Sequence, residues 1–265
     1  MKLNVVARTY AGSGIPTNKK RIVDDAREIL VSKCLKSLAI SCENCKADMD
    51  LSVTILDDGS DESYIARLRE YFKNLSVEII QFDRLGFNGT SVKQFEWAKD
   101  NSSDFVYLVE DDYFHAPNAI QTMIDGYFYL RELAPLYDSA IFPFDAPDRY
   151  FRDPMTPSLI VQHVGYHWRT VTHTSQTVFL PYPTFLRMYD LFDLLGKGYG
   201  NTTYGENILE DNTINRVWSN LTDKHGQVVL WSPIPSVALH MSFEEVPILN
   251  TNLANWRKDW DELSI

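Results

Sequence analysis

Four short apolar runs, separated by amphipathic stretches, restrict most strongly what this chain can fold into. The runs are Leu3–Ala7, Leu51–Leu56, Val77–Phe82 and Phe105–Val109. Between the first two, the segment Lys19–Ala39 sets Ile22, Ala26, Ile29, Leu30, Cys34 and Leu38 on one helical face. After the second run, Ser60 or Asp61 can cap a helix whose buried face carries Ile65, Leu68 and Phe72. Thr90–Lys99 reads as a third helix. This βαβαβαβ order predicts an α/β fold with a mostly parallel central sheet flanked by helices. Ligands of such sheets lie beyond the carboxyl ends of the strands, and the polar clusters of this chain fall there.

Past residue 135 the pattern loosens. Prolines crowd Phe142–Pro157, aromatics and histidines crowd His163–Phe185, and a helix is expected over Glu206–Trp218. Strands are expected at Gln227–Trp231 and Ser236–Met241, followed by a polar tail with Trp256 and Trp260. The chain has 265 residues, room for one large domain or two small ones at roughly 100–200 residues each. With no repeat and no linker, one domain with an elaborated second half is expected.

The charge sum is −11, from 25 basic and 36 acidic residues. So acidic a chain repels a phosphate backbone, which argues against general nucleic-acid binding. No segment offers the ~18–20 uncharged apolar residues that span a bilayer, and the start is too quickly polar for a secretory signal. Cys34, Cys42 and Cys45 are too few and too clustered for a disulfide framework. Cys42 and Cys45 resemble half a zinc site without its second half, so reduced thiols in a loop are expected. N-x-S/T sequons stand at Asn74, Asn88, Asn101, Asn201 and Asn220. Together these features predict a cytoplasmic protein.

Three polar clusters could carry chemistry. The first is Glu110-Asp111-Asp112, directly after a buried strand. Acids so close repel one another unless something positive sits among them, and a divalent cation is the simplest answer. In extended geometry Glu110 and Asp112 point one way and Asp111 the other. The second is Asp57-Asp58-Gly59-Ser60-Asp61, which also reads as a capped glycine turn. The third is Arg8-Thr9-Tyr10, at the end of the first strand.

Taken together, Val5-Val-Ala-Arg-Thr-Tyr10, Ile55-Leu-Asp-Asp-Gly-Ser-Asp61 and Leu108-Val-Glu-Asp-Asp112 resemble the GT-A (nucleotide-diphospho-sugar transferase) fold glycosyltransferases, closest to the family 2 pattern. The resemblance covers about residues 1–115 and, more weakly, Gly205–His240. Glu110 stands where the family's DxD motif begins with Asp. The resemblance implies a single domain, with residues 1–115 binding a nucleotide-sugar donor and residues 116–265 forming the acceptor-binding half and tail. It places Arg8, Thr9 and Tyr10 at the nucleotide pocket, and Asp58, with Asp57, on the base or ribose. Asp112 would bind Mn²⁺ or Mg²⁺, with Glu110 or Asp111 holding the ribose or a metal-bound water. His240 would be a further metal ligand, Glu110 a possible one. Glu210-Asp211 looks like the family's ED motif, in which the Asp is the general base of inverting transfer. First-turn acids favouring a helix dipole are the plain alternative. Tyr166, His167, Trp168, Arg169 and His173 are candidates for the side facing a carbohydrate or glycoconjugate acceptor, because sugars stack on aromatic faces, and a core strand with polar partners is the equal alternative. UDP is the favoured nucleotide.

Two other functions compete. A sugar-nucleotide pyrophosphorylase would want a Gly-rich loop and a basic residue near the first strand. Ala11-Gly-Ser-Gly14 and Lys19-Lys20-Arg21 match that only faintly. A non-catalytic carbohydrate-binding module would not need Asp112, Asp211 and His240 together.

Overall fold

The structure, a computed structural model, describes residues 1–12, 22–147, 150, 157–163, 165–203, 206–219, 224–241 and 255–265. Strands β1 (Lys2–Thr9), β2 (Asp50–Asp57), β3 (Ser76–Gln81) and β4 (Phe105–Glu110) alternate with helices α1 (Arg27–Glu43), α2 (Glu62–Tyr71) and α3 (Gly86–Asn101). They pair in parallel in the order β3-β2-β1-β4. Leading β1 to β2 and β2 to β3 in one direction, then β3 to β4 in the other, right-handed crossovers put α1 and α2 on one face and α3 on the opposite face. Contacts agree with this: Thr9 meets Tyr64 of α2, whereas Arg8, one residue earlier, lies over Phe87 of α3.

The second half extends the same sheet. After the short β5 (Tyr113–His115) and α4 (Ala119–Leu133) come β6 (Asp138–Ile141), β7 (Ile160–His163), β8 (Tyr166–Val171) and β9 (Val178–Pro181). Helices α5 (Tyr182–Arg187) and α6 (Tyr189–Gly198) follow, then the two-residue strands β10 (Thr202–Thr203) and β11 (Glu206–Asn207). Helix α7 (Asn215–Trp218), strands β12 (Val228–Ile234) and β13 (Ala238–His240), and helix α8 (Trp256–Glu262) complete the described elements. The nine-stranded order is β3-β2-β1-β4-β9-β6-β12-β8-β7. Only β9 and β8 run against the rest, because each is antiparallel to both of its neighbours. The sheet is therefore mostly parallel in direction, as expected, and mixed in its second half.

Burial explains the strand sequences. Phe105–Val109 are all buried because β4 is covered on both faces and paired on both edges. Helix α1 departs from simple amphipathicity in that Ser37 and Ser41 are buried. Their hydroxyl oxygens accept the His115 and Ile120 N–H groups at 2.8 and 3.0 Å, fixing β5 and α4 against α1. The cysteines depart from the loop expectation: Cys34 and Cys42 are buried within α1, Cys45 just follows it, and all three are free. Burial raises the pKa of each thiol.

Two expected helices change. The one expected from Lys19 begins at Arg27, residues 13–21 lying outside the described part. The helix expected over Glu206–Trp218 breaks into β11, a 3₁₀ turn at Glu210–Asn212 and the single turn of α7. The cause is local. Asn212 Oδ1 takes the Leu209 N–H at 2.8 Å, and Thr213 Oγ1 donates to the Leu209 carbonyl at 2.7 Å. Such side-chain bonds offer the backbone an alternative to the helix. The sequon at Asn220 lies outside the described residues. Among the described residues, no helix is long and apolar enough to cross a membrane.

Trp168 of β8 is 1% exposed and lies against Gly126 of α4, where an added Cβ would come within 2.2 Å of the indole. Gly126→Ala should therefore overpack the core and lower stability by ~1–3 kcal/mol, measurable by urea denaturation. An unchanged midpoint would mean that α4 and β8 separate freely.

Candidate functional site

Register brings the three polar clusters together. Thr9 on β1 pairs with Asp57 on β2, and Arg8 with Glu110 on β4. Three strands thus end at one level, and their side chains converge beyond it. From beneath, Gln94 of α3 donates its amide to the carbonyls of Val6 at 2.7 Å and Val109 at 3.0 Å, tying β1 to β4 just short of the site.

The three adjacent acids have three separate partners. Arg8 Nη2 donates to Glu110 Oε1 at 2.7 Å. Arg27 Nη2 donates to both oxygens of Asp111, at 2.6 and 2.8 Å. Asp111 Oδ2 also accepts the Thr9 hydroxyl at 3.1 Å and the Tyr10 N–H at 2.9 Å. Asp112 Oδ2 lies 3.1 Å from His240 Nε2. The extended geometry expected across Glu110–Asp112 stops at Glu110, where β4 ends and a turn leads into β5. β5 then pairs with β13, Tyr113 opposite His240, and the two rings stack at 4.7 Å. Much of the repulsion anticipated in the sequence is met by arginines. Burial works against the Arg27 charge, but Asp111 and then Asp112 outweigh it, and its pKa is raised.

Asp57 and Asp58 organise the loops. Asp57 is fully buried and accepts the Gly59 and Ser60 N–H groups at 3.1 and 2.8 Å and the Ser60 hydroxyl at 2.5 Å. Gly59 sits at φ +83°, and a Cβ there would press on the Phe82 carbonyl at 3.2 Å, so the turn requires glycine. Asp58 accepts the Leu85 and Gly86 N–H groups at 2.5 and 2.9 Å. It therefore caps the start of α3; Asp61, expected with Ser60 as a candidate cap of α2, stands at that N-cap without a side-chain cap bond. A cleft of about 240 Å³ opens beside this turn, lined by Tyr10, Gly59, Ser60, Asp61, Tyr64 and Arg84. Arg84 hydrogen-bonds the Tyr10 hydroxyl and holds its guanidinium 4.3 Å above the Tyr10 ring. The sequence reading missed Arg84, although it follows directly on the third strand, at the same sheet edge as the three clusters.

Glu210 feels the charges of Glu110 and Asp211 and bonds Gln176. Asp211 is exposed and accepts the Asn215 amide at 2.9 Å, with His173 Nε2 at 3.7 Å. Asn215 in turn accepts the Thr174 N–H at 2.9 Å, binding the loop before β9 to the 3₁₀ turn. Burial raises the Glu210 pKa to about 7, reinforced by Glu110 and Asp211 and offset in part by its own backbone N–H and Gln176. Arg8 extends toward the same Gln176, at 3.5 Å. Tyr199 is pushed up to about 12 by burial and by Glu210 and Glu110.

Of the acceptor-side candidates, only His173 approaches Asp211. Tyr166 and His167 stand on β8, near the far edge of the sheet. Trp168 is buried in the core and offers no free ring face, and Arg169 pairs with the buried Asp145 at 2.8 Å. Of the glycine and basic segments weighed for a pyrophosphorylase, Ser13, Gly14, Lys19, Lys20 and Arg21 lie outside the described residues.

Among the described residues, no group of three or more His, Cys, Asp or Glu side chains is arranged to hold a metal ion. Asp112 and His240 come together, while Glu110 turns to Arg8. A carboxylate oxygen and an imidazole nitrogen 3.1 Å apart are a donor pair that Mn²⁺ accepts. As a two-residue set, they fit a divalent ion that takes its remaining ligands from a substrate and water.

No protein-family model and no curated protein matches the sequence. Several solved structures are similar to it at low identity. S. aureus TarS 1-349 in complex with UDP-GlcNAc is 14% identical, covering 93% of this chain and 62% of that one, with a TM-score of 0.48. Another S. aureus TarS structure is 12% identical over 88% of this chain and 36% of its own, at TM-score 0.46. The mannosyltransferase PcManGT from Pyrobaculum calidifontis, in complex with GDP-Man and Mn²⁺, is 12% identical over 87% of this chain and 56% of that one, at 0.48. The chain thus spans between about a third and just under two thirds of these proteins.

The Glu210 environment has a measurable consequence. Its folded pKa of about 7 exceeds the ordinary 4.5, so the native state keeps a proton that the unfolded chain releases. Stability therefore falls as pH rises through that window, and the penalty is complete above it. Glu210→Gln removes the titration. Its urea midpoint should match wild type near about pH 4 and exceed it near about pH 8. Equal shifts at both pH values would place the cost elsewhere.

Proposed function

We propose that this chain is a glycosyltransferase that moves a sugar from a nucleoside-diphosphate donor, UDP favoured, to a hydroxyl acceptor with inversion. The carrying observation is that β1, β2 and β4 end at one level, with a cleft beside Tyr10 and the Gly59–Asp61 turn, the Asp112–His240 pair just past β4, and Glu210 close enough to Glu110 to feel its charge. In this reading residues 1–115 hold the donor, and the remainder, within one domain, supplies the acceptor side.

The nucleoside occupies the cleft beside Tyr10, between the Gly59–Asp61 turn and Arg84. Thr9 and Asp111 act through the backbone: their bond and the Asp111 bond to the Tyr10 N–H fix where Tyr10 stands. Asp58 uses two of a carboxylate's roughly four acceptor positions on Leu85 and Gly86. A remaining one can accept the imino N–H of uracil or guanine, a donor that adenine lacks. Asp112 and His240 would hold Mn²⁺ or Mg²⁺, which when bound supplies Lewis-acid stabilisation of charge on the departing diphosphate.

The acceptor oxygen attacks the anomeric carbon from the face opposite the diphosphate. As that bond forms, the bond from carbon to phosphate oxygen breaks and its electron pair leaves with the diphosphate. The hydroxyl proton passes to a carboxylate, which helps most when its pKa lies near the working pH. Glu210, at about 7, meets that condition. Asp211, the base that the family resemblance implies, is exposed and tied to Asn215. Glu210 is assigned the proton, and Asp211 the orientation of the acceptor together with His173. Arg8 keeps Glu110 from adding a second full charge against Glu210.

Three variants test this. Asp112→Asn should abolish transfer and weaken Mn²⁺-dependent UDP binding while leaving the melting temperature near wild type. UDP affinity that is identical with and without EDTA would remove the metal from the proposal. Glu210→Gln should lower kcat by ~10²–10⁴ and flatten its rise through neutral pH, and Asp211→Asn should cost less. The reverse ranking would return the base to Asp211. Calorimetry with nucleoside diphosphates should rank UDP or GDP above ADP, and ADP as the tightest ligand would count against Asp58.

A further inference from the structure

The face of the sheet beneath α3 is polar where a covered sheet should be apolar. Register sets Asn4, Ser52 and Ser76 side by side across β1, β2 and β3, and Thr54 beside Glu78 in the next row on the same face. On the opposite face the corresponding positions, Val5, Val53 and Ile55, are buried apolar side chains. Helix α3 covers β1 and part of β2 but stops short of the β3 edge. A groove of about 260 Å³ remains, with Trp97 and Asn101 of α3 as its wall. Trp97 and Asn101 are four residues apart and so share one helix face, and the Asn101 amide donates to the Trp97 carbonyl at 2.9 Å.

Two properties of this groove point to a ligand. Trp97 is half-buried and borders the opening, with the hydroxyl and amide groups of Asn4, Ser52, Thr54, Ser76 and Asn101 among the groove's lining. At the floor, Asn4 is 2% exposed and donates to Ser52 Oγ at 2.9 Å, while its Oδ1 is buried without a partner among the described residues. An unsatisfied buried acceptor is uncommon and calls for an explanation. Lys2 and Glu78 also line the groove and carry opposite charges, so it does not select a charged partner.

We infer that this groove is a second carbohydrate-binding site, which takes a neutral saccharide by stacking a pyranose face on Trp97 and hydrogen-bonding its hydroxyls to Ser52, Thr54, Ser76 and Asn101. A ring with an apolar face and a hydroxyl rim is the partner that an indole among uncharged polar groups complements. The groove lies toward the amino ends of the strands. At about 3.3 Å per residue, the five steps from Asn4 to Thr9 on β1 set it some ~17 Å from the donor cleft. The inference does not depend on glycosyl transfer, because the groove shares no residue with that cleft.

The test uses the whole chain, with chitohexaose and maltohexaose as probes, read by saturation-transfer NMR and tryptophan fluorescence. At least one probe should bind with a Kd on the order of 1 mM. Trp97→Ala should weaken it at least tenfold. Because Trp97 also packs against the core, Ser76→Arg serves as an independent block: Ser76 is exposed, so the variant keeps the fold and should lose binding equally. UDP with Mn²⁺ should not compete. Failure of both probes to bind at about 10 mM, or binding that neither variant alters, would overturn the site. Binding displaced by UDP and Mn²⁺ would assign the sugar to the donor cleft instead. Retention of an extended peptide on β3 with no saccharide binding would make this edge a strand-pairing surface. UDP binding measured alongside reports separately on the proposed transferase site.

Discussion

The site depends on keeping three consecutive carboxylates at the end of a buried strand. Like charges this close cannot all stay ionised in a low-dielectric environment without nearby positive charge. The chain solves this by separation: Glu110 goes to Arg8, Asp111 to Arg27 and Asp112 to His240. Each partner comes from a different element, so each contact is also a tie. Arg8 binds β1 to β4. Arg27 binds the start of α1 to the same turn, and His240 brings in β13 from the far end of the chain. The two arginine pairs contribute little net stability over apolar contacts, but removing one partner of either leaves a stranded charge at a cost of ~3–5 kcal/mol. That asymmetry fixes the strand ends relative to one another.

The first half of the fold was legible because its signals are local. Short apolar runs and helical faces within Leu3–Val109 identify the strands and helices in chain order, and that alternation implies a parallel sheet. Arg8-Thr9-Tyr10, Asp57-Asp58 and Glu110-Asp111-Asp112 each follow such a strand, so they fall at the same end of the sheet, while the strand order that makes them neighbours comes from the structure. What the sequence could not convey is the partner of each side chain. Nothing local says that Asp58 will cap α3 and not α2, or that Arg27, 84 positions before Asp111, will clamp it. The polar residues were found, but many of their roles are set by contacts distant in sequence.

The second half was harder for a physical reason. Its sheet holds two reversed strands, β9 and β8, and its helical segment near Glu210 is interrupted by Asn212 and Thr213, whose side chains bond the backbone that a helix would use. Helical periodicity in Ile208, Leu209, Ile214 and Val217 survives in the sequence, although the backbone does not follow it. For Trp168, the core alternative is the one the structure shows. An aromatic run has the same composition whether it lines a cleft or fills a core, and Trp168 fills the notch left by Gly126.

The reversed strand β9 also bears on how such a chain is made. It lies between β4 and β6, antiparallel to both, and it is synthesised some seventy residues after β4. Until β9 emerges from the ribosome, Phe105–Leu108 present an unpaired, wholly apolar edge, the kind of surface that templates association between chains. The amino-terminal half can have all its helices and four of its strands in place and still lack a closed flank. Vectorial synthesis therefore leaves the β4 edge of this molecule waiting on one four-residue strand.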